Sequence, residues 1–309
     1  MNVDLKKIGT EQRNQNTLNI DTLNTEDLVK VLNDEDKTVA FAVEKANFQI
    51  AKVVDEIVKV FNNDGRLIYI GAGTSGRIGI MDAVECGPTY SVSDDMVQCL
   101  MAGGMGAMTK AVEGAEDSIE LAIEDLKNIN VNKNDIVIGI TASGRTPYAV
   151  GGVKYAKSMG CVTACITTSP NSEIASTVDY PIEAITGAEP VTGSTRMKSG
   201  TAQKLICNML STASMIKMGK VYENLMIDVK PTNHKLVKRA QSIVTQATGV
   251  TNEEAQAYID KFGTVKMAVY AILSNTNDVK KVEEALNKTK GHLRNALKEV
   301  LKWLNILKF

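Results

Sequence analysis

The feature that most restricts the fold of this chain is a change of hydrophobic period near residue 66. Four short, nearly continuous apolar runs follow that point: RLIYI (66–70), VQCLMA (97–102), DIVIGITA (135–142) and CVTACITT (161–168). Runs of this length without apolar/polar alternation fit strands covered on both faces, as in a parallel sheet. Segments with helical patterning separate them, at about 77–86, 116–129 and 146–159. Strand alternating with helix predicts a doubly wound, mainly parallel α/β sheet. PIEAI, with its apolar centre at 182–185, adds an edge strand, and a long helix follows from about 195 to 218. Before the first strand, Val39, Val43, Ala46, Ile50, Val53, Ile57 and Val60 recur at helical spacing, and Asn-Asn-Asp-Gly65 ends the stretch that opens at Thr25. After VYENLMIDVKP (221–231) the pattern turns helical, with breaks near Gly249, Gly263 and 275–277, predicting three or four short helices. The expected division is an N-terminal segment with helices over 1–55, a sheet domain over 56–222 and a helical domain over 223–309.

Charge narrows the partners. Lys plus Arg number 35 against 36 for Asp plus Glu, so no positive field draws nucleic acid or an anionic membrane surface. A small molecule or a protein is the expected partner. Five cysteines (Cys86, Cys99, Cys161, Cys165, Cys207) lie mostly in apolar runs without CxxC or Cys/His spacing, which predicts reduced thiols and no metal site. The first residues carry no apolar core of a leader, and no stretch reaches the roughly 18 apolar residues of a membrane span. A cytoplasmic protein is expected.

Three loops carry the chemistry. Gly71-Ala72-Gly73-Thr74-Ser75-Gly76-Arg77 follows the first strand, opens a helix and fits G-x-G-x-x-G, a pattern that also suits a dinucleotide, with Asp94 or Asp95 available for a ribose. Thr141-Ala142-Ser143-Gly144-Arg145-Thr146-Pro147 repeats the arrangement after a later strand, with Pro at a helix start. Thr192 to Thr201 (TGSTRMKSGT) repeats it before the long helix. Hydroxyls combined with helix N-terminal amides suit a phosphate monoester, whose three oxygens take several donors.

GAGTSGRIGIMDAVEC, EGAED, TASGRTPY and TGSTRMKSGTAQK resemble the signature segments of N-acetylmuramic acid 6-phosphate etherases, relatives of the glucokinase regulatory protein and of SIS-fold (sugar isomerase) aldose-ketose isomerases. The resemblance runs from Thr10-Glu11-Gln12-Arg13-Asn14 to the last helix. It therefore implies order in an Asn/Thr-rich segment, 1–24, that composition alone reads as a disordered tail. Cys86-Gly87-Pro88-Thr89-Tyr90 and Glu189-Pro190-Val191 depart from the usual pattern outside the assigned residues. The resemblance implies loss of D-lactate from C3 of the sugar followed by addition of water, with no cofactor. It assigns Glu85 as proton donor to the departing lactate and Glu116, beside its rival Glu113, as the second acid/base group. Two carboxyl groups with separated pKa values suffice for such chemistry. Gly73, Thr74, Ser75, Ser143, Gly144 and Thr146 are expected to bind phosphate or sugar hydroxyls, with Ser194, Thr195 and Arg196 closing the site. A homodimer is implied as well.

Two other readings stand beside this one: a non-catalytic sugar-phosphate-responsive regulator, against which the pair Glu85 and Glu116 argues, and an NAD-dependent oxidoreductase, supported by the first loop alone. The only histidines, His234 and His292, fall in the C-terminal region. That weighs against simple isomerisation, for which SIS isomerases commonly use a histidine in ring opening.

Overall fold

The computed structural model describes residues 9–110, 112–229 and 234–306, with the side chains of His234 and of 301–306 outside the described set. Expectations placed on residues 1–8, on 231–233 and on the His234 side chain therefore lie outside the described residues. The chain falls into two compact units. The first runs to Val84 and again from Asp94 to Ser211; the second takes Glu85–Ser93 and the chain from Thr212 onward.

In the first unit, residues 9–22 form three short 3-10 turns rather than a disordered tail. Thr10, Asn14 and Thr17 are buried, and the Asn14 and Thr17 side chains hydrogen-bond to the body of the protein. Helix α1 (Thr25–Glu44) begins where the Asn24 side chain accepts from the Asp27 amide, with Glu26 and Asp27 favourably placed in the first turn. The helical stretch expected from Thr25 to Phe61 is two helices, α1 and α2 (Asn47–Asn62). Hydrophobic period misses the break because Val43, Ala46 and Ile50, on either side of it, are all buried. Helix α2 ends as expected: the Gly65 amide returns to the Val60 carbonyl, and a Cβ on Gly65 would lie 1.9 Å from the Asn134 carbonyl oxygen.

The sheet comprises β1 (Leu67–Gly71), β2 (Val97–Met101), β3 (Ile136–Ile140), β4 (Val162–Thr167) and β5 (Tyr180–Glu183). All pairs are parallel, in the order β2-β1-β3-β4-β5. The intervening helices are α3 (Gly73–Tyr90), α4 (Ile119–Asn128), α5 (Pro147–Ser158) and the short α6 (Glu173–Thr177), with α7 (Lys198–Lys217) after β5. One face of the sheet, through Ile68, Ile70, Val137 and Cys165, packs with Leu126 of α4, Tyr148 and Val153 of α5 and Ile174 of α6. The other meets α3 and α7: the Tyr69 hydroxyl donates to Asp82 and to the Cys207 carbonyl. Gly79 of α3 is close enough that a Cβ would sit 2.7 Å from Cys99 Sγ and 3.2 Å from Tyr69 Cβ. Arg66 and Asp135 tie the starts of β1 and β3 together, with Nε to Oδ1 at 3.0 Å and Nη2 to Oδ2 at 2.7 Å. This two-pronged pair sets the register of the two central strands.

In the second unit, the strands β6 (Val221–Tyr222) and β7 (Leu225–Met226) form a small antiparallel pair. Among the described residues five helices follow: α8 (His234–Thr248), α9 (Asn252–Phe262), α10 (Val265–Leu273), α11 (Val279–Lys288) and α12 (Leu293–Ile306). The expected three or four become five because a further break, at the left-handed Lys290 and Gly291, separates α11 from α12. Val244, Ile259, Val269, Val282 and Leu293 form one core. His292 packs there against Gly219, where a Cβ would meet its ring at 2.8 Å.

The five cysteines are free thiols. Burial pushes Cys165 up to about 12 and Cys161 up to about 11, and it raises Cys99 and Cys207 as well. These four thiols stay protonated and inert near neutrality. No described helix is long and apolar enough to cross a membrane.

Candidate active site

In a sheet of this order, strand succession reverses between β1 and β3, and the crevice beyond their carboxyl ends is where open α/β sheets bind ligands. A cavity of about 420 Å³ lies there, in the first unit. The turn after β1 contributes Ala72, Gly73, Thr74 and Ser75, and the turn after β3 contributes Thr141, Ala142, Ser143, Arg145, Thr146 and Pro147. The N-termini of α3 and α5 therefore both face it, giving backbone amides and the positive ends of two helix dipoles. The third loop adds Gly193 and Thr195, the turn before α4 adds Glu116 and Asp117, and the N-terminal segment adds Glu11. Arg145 is exposed at the cavity.

Local geometry explains the loop sequences. Gly73 has φ +53°, a left-handed conformation that lets β1 turn directly into α3. Ser75, buried, donates from Oγ to Gln203 Oε1 at 3.0 Å. The β3 loop is braced from below: the Ala142 carbonyl accepts from the Thr168 amide and hydroxyl and from the Thr167 hydroxyl. Thr141 and Thr146 share a hydrogen bond of 2.8 Å between hydroxyls. Glu189, fully buried, accepts from the Lys198 and Ser199 amides at 2.8 and 2.9 Å and so caps α7. Gly200 brings the first turn of α7 against Thr74, at 3.3 Å from a built Cβ to the threonine methyl.

Of the residues singled out from sequence, Glu116, Gly73, Thr74, Ser75, Ser143, Thr146 and Thr195 line this cavity together. Gly144, Ser194, Arg196 and Glu85 are not among its lining residues. Gly144 serves the loop's shape: it has φ +68°, and a Cβ there would stand 2.2 Å from the Ser172 Cβ. Gly144→Ala is expected to cost about 1–3 kcal/mol of stability through backbone strain and overpacking, measured by urea denaturation. A loss under about 0.5 kcal/mol would show that the loop shifts without cost.

Glu116 lies not at a helix start but on a separate 3-10 turn, Ala115–Asp117, because Ser118 caps α4 by accepting from the Leu121 amide. A second hollow of about 220 Å³ shares Ala72, Gly73 and Glu116 with the cavity. Glu113 lines this side hollow but not the cavity, whereas Glu116 lines both spaces. Glu85 sits 12 positions after Gly73 on α3, about 18 Å along the axis at 1.5 Å per residue, and is exposed. Asp94 and Asp95, the acidic residues a dinucleotide reading needs, do not line the cavity either.

Glu11, Asp117, Thr141, Arg145 and Gly193 line the cavity without having been assigned a role from sequence. Thr141, Arg145 and Gly193 stand inside the quoted loops, and adjacency to a hydroxyl-rich turn was their signal. Glu11 had only the TEQRN segment to mark it, inside a stretch whose composition pointed to disorder.

Residues 49–157 match the family described as the glucokinase regulatory protein N-terminal SIS domain, and residues 112–213 match the SIS domain. An N-acetylmuramic acid 6-phosphate etherase of Clostridium botulinum is 53% identical over 300 residues, covering 97% of this chain and 99% of that protein. The etherase of Clostridium beijerinckii is 52% identical over 300 residues, covering 96% and 98%. That of Bacillus cereus is 53% identical over 294 residues, covering 95% and 100%. With the sheet, the three loops and near-complete coverage in agreement, the chain belongs to the N-acetylmuramic acid 6-phosphate etherase family.

Proposed function

We propose that this protein cleaves the D-lactyl ether of N-acetylmuramic acid 6-phosphate, giving N-acetylglucosamine 6-phosphate and D-lactate. The observation that carries this reading is one cavity in which Thr74, Ser75, Ser143, Thr146 and Thr195 converge with Glu116. The hydroxyls and the amides of α3 and α5 bind the phosphate. In the ring-opened aldehyde, the C2 hydrogen is α to the carbonyl and the lactyl oxygen is β to it. Glu116 takes the C2 proton; the electron pair forms the C2–C3 double bond as the C3–O bond breaks, and a carboxyl group gives the departing oxygen its proton. Water then adds at C3 and a proton returns to C2, so the sequence balances without oxidant or metal. The protein works on a small sugar phosphate in the cytoplasm.

Glu85 is the proton donor in this proposal, and a homodimer supplies it. Glu85 shares the exposed surface of α3 with Met81 and Val84, which are 46% and 64% exposed. An apolar surface of that kind favours burial against a second copy. Gly144, Ser194 and Arg196 are assigned to shaping and closing the loops around the ligand.

The test is incubation with N-acetylmuramic acid 6-phosphate in H₂¹⁸O, with D-lactate assayed and the sugar examined by mass spectrometry. Lactate release with ¹⁸O in the sugar is expected. Binding of the sugar phosphate without lactate release would remove the etherase reading and leave a sugar-phosphate-responsive regulator.

A further inference from the structure

The carboxylate of Glu11 faces the cavity from a segment that lies outside the sheet and its helices. It is seated over the third loop, with Oε2 3.0 Å from the place a Cβ on Gly193 would occupy, and Gly193 has φ +76°. No hydrogen bond or ion pair engages Glu11 among the described residues, so its acceptors remain for whatever fills the cavity.

The segment is held firmly. The Gly193 amide donates to the Thr10 carbonyl at 3.2 Å, and Thr17 Oγ1 donates to the Pro190 carbonyl at 2.8 Å. Asn14 Nδ2 donates to Glu35 at 2.7 Å and to the Ala188 carbonyl at 3.3 Å, and Lys198 Nζ pairs with Glu35 at 2.7 Å. Lys198 and Glu35 are 4% and 5% exposed. A pair withdrawn this far from water is a poor source of stability, because apolar residues of similar volume commonly do as well. What the network accomplishes is to fix the entry of the segment and hold Glu11 beside Gly193.

Charge decides what Glu11 meets. The hydroxyls and helix N-termini on one side of the cavity suit a dianionic phosphate, whereas a carboxylate repels one. The ligand must present uncharged donors at Glu11. We propose that Glu11 is a substrate-binding residue whose carboxylate accepts hydrogen bonds from hydroxyl groups of the sugar, marking the sugar end of the cavity as the turns after β1 and β3 mark its phosphate end. This inference rests on the sugar-phosphate reading above, though not on cleavage of the ether.

Calorimetric titration of wild type, Glu11→Gln and Glu11→Ala with N-acetylglucosamine 6-phosphate and, separately, inorganic phosphate tests it. Loss of a charge-assisted hydrogen bond is expected to weaken the sugar phosphate about ten- to a hundred-fold in Glu11→Ala, and less in Glu11→Gln. Inorganic phosphate should bind as in wild type or more tightly, since a repelling charge has gone. An unchanged affinity for the sugar phosphate would overturn the proposal. So would equal weakening of both ligands, which would mean that Glu11 only props the third loop. If wild type binds the sugar phosphate and the variants weaken it selectively while no lactate is ever released, the etherase reading falls and Glu11 keeps its role. If wild type does not bind the sugar phosphate, both fall.

Discussion

Glu116→Gln is expected to lower the rate of lactate release by about 10²–10⁴-fold, the range for loss of a general acid/base, with affinity for N-acetylglucosamine 6-phosphate within a few-fold of wild type. Glutamine keeps the size and hydrogen-bonding reach of the side chain but cannot carry the C2 proton. The fold should not suffer, because Glu116 is exposed on a short turn between the left-handed Gly114 and the Ser118 cap. The loss should therefore fall on kcat rather than on binding. Glu113→Gln is the control: three positions away, it lines the side hollow but not the cavity and should change the rate by no more than a few-fold. Retention of a tenth of wild-type activity by Glu116→Gln, or an equal loss in Glu113→Gln, would sink the assignment. Glu85→Gln should be as damaging as Glu116→Gln if a second copy delivers that carboxyl. Each variant alone would be inactive, but a reassembled mixture would contain some sites with both glutamates intact, roughly a quarter for random pairing of a symmetric dimer. Mixing without recovery would remove the shared-site arrangement.

The parts of this fold that were legible in sequence are those where a single local rule decides. Ile68, Ile70, Val137 and Cys165 sit in runs too apolar for anything but a strand buried on both faces; of the five strands of the parallel sheet, β2, β3 and β4 lie within those runs and β1 passes the end of its run by one residue, Gly71. Pro147 at the start of α5 and Gly65 after α2 behave as their backbone chemistry dictates. Legibility fails where burial is decided by distant partners. Asn14 and Thr17 look like solvated tail residues until the 188–198 loop, some 170 positions later, supplies acceptors for their side chains, and its Gly193 amide donates to the Thr10 carbonyl. The break between α1 and α2 is invisible because the apolar stripe crosses it, and the strands β6 and β7 are too short to show a period. The cavity follows the same pattern. Two loops after parallel strands announced themselves through glycine and hydroxyl spacing, and Thr195 extended the theme. Glu11 reaches the cavity through contacts that no local pattern encodes. Glu85 is placed by resemblance alone, and it lies on an exposed surface of α3 outside the cavity lining.

Lys198→Met is expected to destabilise the unit that contains it by about 3–5 kcal/mol near neutral pH, because it leaves the buried Glu35 carboxylate without its cation. Asn14 and Asn16 still donate to Glu35, at 2.7 and 2.8 Å, but neither neutralises it. The double variant Glu35→Met with Lys198→Met should recover most of that loss, since the cost lies in the orphaned charge. The pH dependence separates this account from simple repacking. Burial alone would raise the Glu35 carboxyl, but donation from Lys198, Asn16 and Asn14 outweighs it and holds the folded-state value below the ordinary one. A depressed value means that the pair stabilises the fold fully above the unfolded-state pKa of about 4.3, and that this contribution disappears as pH falls through the folded-state value. In Lys198→Met the main opposing donor is gone, the carboxyl titrates upward, and protonation relieves the variant before it harms wild type. The gap between the two should therefore be widest near pH 7 and narrow toward pH 4, in urea denaturation followed by far-ultraviolet circular dichroism. A gap that is constant with pH would mean that Lys198 contributes packing alone. A double variant no better than the single would mean that the damage comes from its lost donation to the Ala188 carbonyl, the bond by which Lys198 holds the loop that seats the N-terminal segment.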